Sequence, residues 1–445
     1  MAVAGVLATA CVANASATLL LEEPYGKLGW FTATGHAAVY LSGVCAETPL
    51  MLRPCREGEL GVVISRYNGV GGYDWLAVPL IPYLYAVESV DEIPLFADPR
   101  MVNFLRDQYR RNHLEAVAPD LAGGETPGGN WYQLVGSAYD RTSYGFQIET
   151  ARAQDLAFIR AYNSSQNRSH FVTVSSNCAD FAKDVINFYY PRALHRSVVA
   201  DVGISTPKQM AKALVRFSGR HRQLEFSRYV IPQIPGGAAR SSAVHGVVES
   251  FFKSKKYIVP SALVSPVFAG CVAAVYLGTA ETSRFDPARQ ALIYGPGREL
   301  EPPLDNEDRR SYEIELKHLE AVGSAEAGGI PNERNFTRSL ATAVPGFDAN
   351  GRPVLRMKVA EAWVTLGVTP ANLPRAGSSR RLAEQLLEAR LREELGRRSP
   401  PKVSASDLEW DWSLLQQAIK ADEYPVADRA PGVLQEEALA NRNHH

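Results

Sequence analysis

The tightest constraint on how this chain can fold is a change of hydrophobic period around Cys178. Ser169-His170-Phe171-Val172-Thr173-Val174 alternates as a strand does, and Cys178, Phe181, Ala182, Val185, Ile186 and Tyr189 then recur at helical spacing until Pro191. That junction places Cys178 near a helix N-terminus. Unpaired backbone N–H groups and the positive end of the helix dipole favour a thiolate there, and the same N–H groups can hold an oxyanion when a carbonyl is attacked. Cys178 is the candidate nucleophile, and Cys178 with its neighbour Asn177 supplies the candidate oxyanion donors.

At 445 residues the chain exceeds a single usual core, and 46% hydrophobic with 21% charged residues is a globular balance. A net charge of -1, with no basic stripe interleaved with aromatics, leaves no footprint for nucleic acid. The five cysteines lack C-x-x-C spacing, so no metal site or other cofactor is indicated. Cys45 and Cys55 can pair across a short hairpin if this region is exported, or stand as two unpaired structural cysteines; spacing alone does not decide. Residues 1–17 are small and apolar. Ala13-Asn14-Ala15 and Ala15-Ser16-Ala17 both fit a signal-peptide cleavage pattern, although no Lys or Arg precedes Lys27.

A second segment bears on location. Tyr257 to Ala280 has 24 residues without a charge, preceded by Lys253, Lys255 and Lys256, which is long enough for a transmembrane helix kinked at Pro260 and Pro266. A hydrophobic core helix is the other reading, and a lysine cluster on the exported side runs against the positive-inside tendency. Breaks rich in Pro, Gly or charge fall at 118–129, 231–242, 295–311 and 397–406. The expected organisation is a signal-like segment (1–17), a catalytic domain (18–230), a linker (231–256), the membrane helix (257–280) and an accessory domain (281–445). In the catalytic domain, strand-like runs fall at 37–41, 60–67, 144–150 and 171–174, and helix-like runs at 100–113, 151–163 and from Cys178, an α+β pattern. Pro353 to Val368 alternates as strands do, and Arg380 to Arg398 reads as an amphipathic helix, which makes the accessory domain a small α/β unit.

A cysteine nucleophile normally needs a base beside it, most often histidine. His170 on the incoming strand lies roughly 26 Å from the thiol if extended. His195 lies roughly 25 Å away along a continuous helix. His36 is the best candidate: Thr32 to Gly35 are turn-formers, Ala37 to Leu41 continue as a strand, and a strand end is a rigid mount. A third group should orient the imidazole, and Glu47, Arg53, Glu57 and Glu59 on the next strand are the candidates.

Gly35-His36-Ala37 followed by Asn177-Cys178-Ala179-Asp180-Phe181 resembles the circularly permuted papain-like superfamily, the NlpC-type and lecithin:retinol acyltransferase-like thiol hydrolases. The order is most similar to the periplasmic domain of bacterial lipoprotein N-acyltransferases, and the likeness covers about residues 25 to 195. It implies a permuted papain-like domain with an antiparallel sheet packed on the cysteine-bearing helix, and a Cys178–His36 pair working through a thioester. The resulting expectation is a membrane-anchored, cell-envelope cysteine hydrolase or acyltransferase with a periplasmic catalytic domain. Its substrate would be a cell-wall peptide amide or a membrane-lipid acyl ester. The alternative is a catalytically silent papain-like binding or scaffold module.

Overall fold

The computed structural model describes residues 15–25, 34–94, 97–173, 175–196, 201, 203–234, 241–253, 255–278, 285–294, 310, 342–359 and 362–369. The chain opens with strands β1 (Ala15–Glu22), β2 (His36–Leu41), β3 (Val44–Thr48), β4 (Met51–Pro54), β5 (Val62–Ser65) and β6 (Leu76–Pro79). Helices α1 (Leu80–Tyr85), α2 (Pro99–Tyr109) and α3 (Ser137–Asp140) lead to β7 (Ser143–Thr150), and α4 (Arg152–Ser164) and α5 (Cys178–Tyr189) follow. Then come α6 (Pro207–Arg220), β8 (Ser227–Ile231), α7 (Val247–Lys253), α8 (Lys255–Val264), α9 (Pro266–Gly278) and β9 (Leu292–Ile293). The described elements end with β10 (Val344–Phe347), β11 (Pro353–Val359) and β12 (Ala362–Gly367).

Seven strands form one sheet in the order β6-β5-β2-β1-β7-β8-β9. The expected antiparallel sheet is corrected to a mixed one, because β9 joins β8 in parallel through Tyr229↔Leu292 and Val230↔Ile293. A parallel partner needs a long crossover, which here carries α7 to α9, and a two-residue strand has too little alternation to show in sequence. Helices cover both faces. Leu19, Leu21, Ala37 and Val39 pack with Ala182 and Val185 of α5 and Met210 and Leu214 of α6. Leu20, Ala38 and Val63 pack on the other side with Tyr83 and Leu84 of α1 and Met101 and Leu105 of α2. The fold is thus a mixed α/β arrangement and not an α+β one.

Burial on both faces explains β1. A strand covered on both sides reads as a continuous apolar run without alternation, and Leu19, Leu20 and Leu21 are all fully buried. β1 lies between β2 and β7, so Ala15 to Ala17, assigned by sequence to a segment ahead of the folded unit, are its first three residues. Residues 1–14 lie outside the described residues.

Among the described residues no helix is long and apolar enough to cross a membrane. The expected spanning helix at 257–280 is corrected: α8 ends at Val264 and α9 restarts at Pro266. Pro266 has no N–H to continue the ladder and disfavours the helical region at Ser265, so the uncharged run becomes two short helices. Two pieces of the stretch read as an accessory domain pack on the first unit. One is β9; the other is the β10-β11-β12 sheet, held to α2 by Phe104 on Phe347 (ring centroids 5.1 Å) and by Arg100 Nη1 donating to the Ala343 carbonyl at 3.0 Å. The strands expected in Pro353 to Val368 are β11 and β12, and the helix expected over 380–398 lies outside the described residues. Of the two readings of Cys45 and Cys55, the structure has the disulfide, with Cα atoms 4.9 Å apart across the β3–β4 hairpin.

Candidate active site

Gly35 sets the start of β2. Its φ is +72°, in the left-handed region, and a Cβ there would stand 2.1 Å from the Glu22 carbonyl oxygen. Only glycine lets the two backbones approach so closely as β2 enters the sheet at His36. Gly35→Ala should therefore lower stability by at least about 1–3 kcal/mol, from the strained conformation and from pushing β2 off β1. A urea midpoint unchanged from wild type would contradict this close approach.

The other half of the site is built by caps. The Asn177 side-chain oxygen accepts the N–H groups of Ala179 (2.9 Å) and Asp180 (3.1 Å), and its Nδ2 donates to the carbonyls of Thr173 (2.9 Å) and Ser205 (3.0 Å). Asp180 Oδ1 accepts the Ser205 hydroxyl at 2.5 Å and Arg196 Nη2 at 2.7 Å. Burial opposes the Asp180 charge, but Ser205, Arg196 and Lys183 together hold its carboxyl below the usual range. These bonds fasten the segment before α6 to the first turn of α5. They also divide the two expected oxyanion donors. Both Asn177 amide protons are committed to holding the loop, whereas the Cys178 N–H has no hydrogen-bond partner among the described residues.

The strand expected at 169–174 is not in the sheet. Ser169 N–H donates to the Gly72 carbonyl, and Val172 bridges only to Ser176, so this segment is a loop and tight turn. Six alternating residues are too few to separate a strand from an anchored loop, and Val172 is 47% exposed. His170 pairs with Asp74 (3.1 Å) and stands 3.2 Å from Arg66 Nη2.

Cys178 and His36 line one cavity of about 220 Å³, together with Arg66, Tyr67, Thr206 and Val247 among others. Burial pushes the Cys178 thiol up to about 11, and the nearby backbone N–H groups of Ala37 and Ala179, which favour the thiolate, offset only part of that. The surroundings of Cys178 thus favour the thiol, against the help expected from the helix terminus, because desolvation outweighs the two nearby amides. His36, 7% exposed, stacks on Tyr67 with centroids 4.3 Å apart. Burial, with the positive charge of Arg141 adding to it, holds its pKa well below the usual imidazole value. The resting site is a neutral thiol beside a neutral imidazole. No hydrogen bond joins the two side chains; the link between them is the Ala37 N–H, one residue from His36.

The proposed orienting residues lie elsewhere. Arg53 Nε meets Glu47 at 2.7 Å and its Nη2 meets Glu59 at 2.6 Å on the β3–β4 hairpin and the turn after it, Glu57 is exposed, and none of the four lines the cavity. Sequence reasoning missed Arg66, which is buried, salt-bridged to Asp74 at 2.6 Å and bonded to the Ser176 hydroxyl at 3.1 Å, tying β5 to the loop before α5. It also missed Glu22, which stands opposite His36 in the β1–β2 register. The sequence signal for Glu22 is an acid closing the apolar run Leu19-Leu20-Leu21.

Comparison with family models, with curated proteins and with solved structures finds no match.

Proposed function

We propose that the protein is a cysteine hydrolase or acyltransferase that cleaves an amide or ester through a thioester on Cys178. The observation that carries this reading is the shared cavity: a thiol at a helix N-terminus, an uncommitted Cys178 N–H and a neutral imidazole border the same space. The order of a histidine strand before a cysteine helix is also the order of the permuted papain-like hydrolases that the motifs resemble.

In the proposed reaction His36 takes the Cys178 proton as the sulfur attacks the carbonyl carbon, and the Cys178 N–H receives the developing oxyanion. When the tetrahedral species collapses, the carbon–nitrogen or carbon–oxygen bond breaks and the leaving group takes the proton from His36. Water or a second acceptor, deprotonated by His36, then attacks the thioester and releases the thiol. The Cys45–Cys55 disulfide supports placing this chemistry in an oxidising, extracytoplasmic compartment, with a cell-envelope peptide or acyl group as substrate.

One observation favours the rival reading, a catalytically silent binding module: at rest no hydrogen bond connects Cys178 to His36. The pH dependence of Cys178 alkylation by iodoacetamide, in a Cys11→Ser/Cys271→Ser background, separates the two. A neutral thiol at about 11 should give a rate that keeps rising above pH 9 with no plateau near neutrality. With a working base beside it, the rate near pH 7 should fall in His36→Ala. Equal rates in both proteins near pH 7 would favour the silent module.

A further inference from the structure

Beneath His36 lies a polar group of residues that the reaction above does not use. Glu22 and His36 face each other on the last rung of the β1–β2 ladder. Side chains alternate along a strand, so Glu22 shares a face with Leu20, and His36 with Ala38. Leu20 and Ala38 belong to the core that contains Tyr67 and Tyr83. Directly opposed residues on one face have Cβ atoms about 4.5–5.5 Å apart, within reach of two polar side chains.

The side chains around this rung are buried, and His36 and Tyr67 also border the cavity. Glu22 and Tyr83 are 0% exposed, Arg141 3% and Tyr67 5%. Tyr83 donates its hydroxyl proton to Glu22 Oε1 at 2.6 Å, and Arg141 Nη1 stands 3.1 Å from Glu22 Oε2. Among the described residues two atoms on the rung have no hydrogen-bond partner: Glu22 Oε2, whose contact with Arg141 is an ion pair only, and His36 Nε2. Replacing a buried ion pair by apolar groups is often neutral or stabilising, so stability alone gives a weak reason for a carboxylate here. A buried acceptor on the same rung and face as an unpartnered imidazole nitrogen gives a stronger one.

We infer that Glu22 is the positioning residue for His36: one bridging water accepts the Nε2–H proton and donates to Glu22 Oε2, which leaves the Nδ1 lone pair free for the Cys178 thiol. Arg141 and Tyr83 hold the carboxylate in place, and Tyr67 fixes the plane of the ring by stacking. The inference deepens the Cys178–His36 reading and rests on it. It assigns the orienting role to the strand before the histidine and not to the β3–β4 hairpin after it.

The test is the tautomer of His36 in the full-length protein, read from the two ring-nitrogen chemical shifts in a long-range proton–nitrogen correlation spectrum. His36→Gln identifies the signal. The expected wild-type result is a single neutral tautomer protonated at Nε2; protonation at Nδ1 would overturn the inference whether or not any variant folds. In the charge-compensated pair Glu22→Leu/Arg141→Met, a shift toward the Nδ1–H form is expected. Cys178 alkylation near pH 7 should then slow by about 10-fold or more, because the wrong tautomer removes the base. An unchanged tautomer in the folded double variant would mean that Glu22 is structural only. His36→Ala separates the two claims. If it leaves alkylation unchanged while the double variant still switches the tautomer, the catalytic reading fails and the Glu22–His36 contact stands; if it slows alkylation while the tautomer ignores Glu22, the reverse holds.

Discussion

Arg141→Met should lower the free energy of unfolding by about 3–5 kcal/mol, the usual cost of stranding one member of a buried ion pair. Glu22 is fully buried, and Arg141 is its one cationic partner among the described residues, 3.1 Å away. Burial works against the Arg141 charge, but Glu22 first and then Tyr25, Tyr67 and Tyr83 hold its pKa above the ordinary arginine value. The guanidinium also lies over the Tyr25 ring, 4.6 Å from its centroid, so the variant loses packing as well as charge. Adding Glu22→Leu removes the stranded carboxylate and should restore most of the loss. Urea unfolding of the two variants beside wild type measures this. A midpoint for Arg141→Met within error of wild type would show that the pair does not brace the strand end that carries His36.

The larger functional effect belongs to His36→Ala, which should slow acylation of Cys178 by about 10²- to 10⁴-fold, the range general base catalysis provides. The reason lies in the resting protonation states. With the thiol pushed up to about 11, only a small fraction is thiolate at neutral pH, so attack must be coupled to proton removal. His36 is suited to that step because burial keeps it neutral, hence basic, across the physiological range. The same pKa shifts give the stability–pH relation. Cys178 is raised in the folded state, so its contribution is complete below the unfolded thiol pKa and is lost as pH rises through about 11. His36 is lowered, so its contribution is present above the unfolded imidazole pKa and is lost as pH falls toward its folded value.

The parts of this fold that could be read from sequence are those in which one residue type has one physical use. The apolar stripe of Phe181, Ala182, Val185, Ile186 and Tyr189 buries one face of α5, and strand alternation over 353–368 corresponds to β11 and β12. Apolar runs with two physical uses are ambiguous in sequence. Ala15 to Ala17 fit the end of an export segment as well as the start of a strand covered on both faces, and the positions of β2 and β7 place them in β1. The uncharged run at 257–280 satisfies the length of a membrane helix, but the break at Ser265-Pro266 makes two short helices. In the candidate site, Cys178 and His36 could be named from their local settings. Glu22 could not, because its role depends on register across β1 and β2, and one sequence carries no direct record of which strands are neighbours. The direction of the Cys178 shift was also out of reach: a helix terminus is local and visible, whereas burial is a property of the whole fold.

The most direct test of the account is the intact mass of the full-length protein after brief exposure to p-nitrophenyl acetate near neutral pH, in wild type and in His36→Ala, with adducts mapped by peptide digestion. A single hydroxylamine-labile acetyl group on Cys178 is expected in wild type, and little or none there in His36→Ala over the same interval. Equal acetylation of Cys178 in the two proteins, or none in wild type, would contradict it.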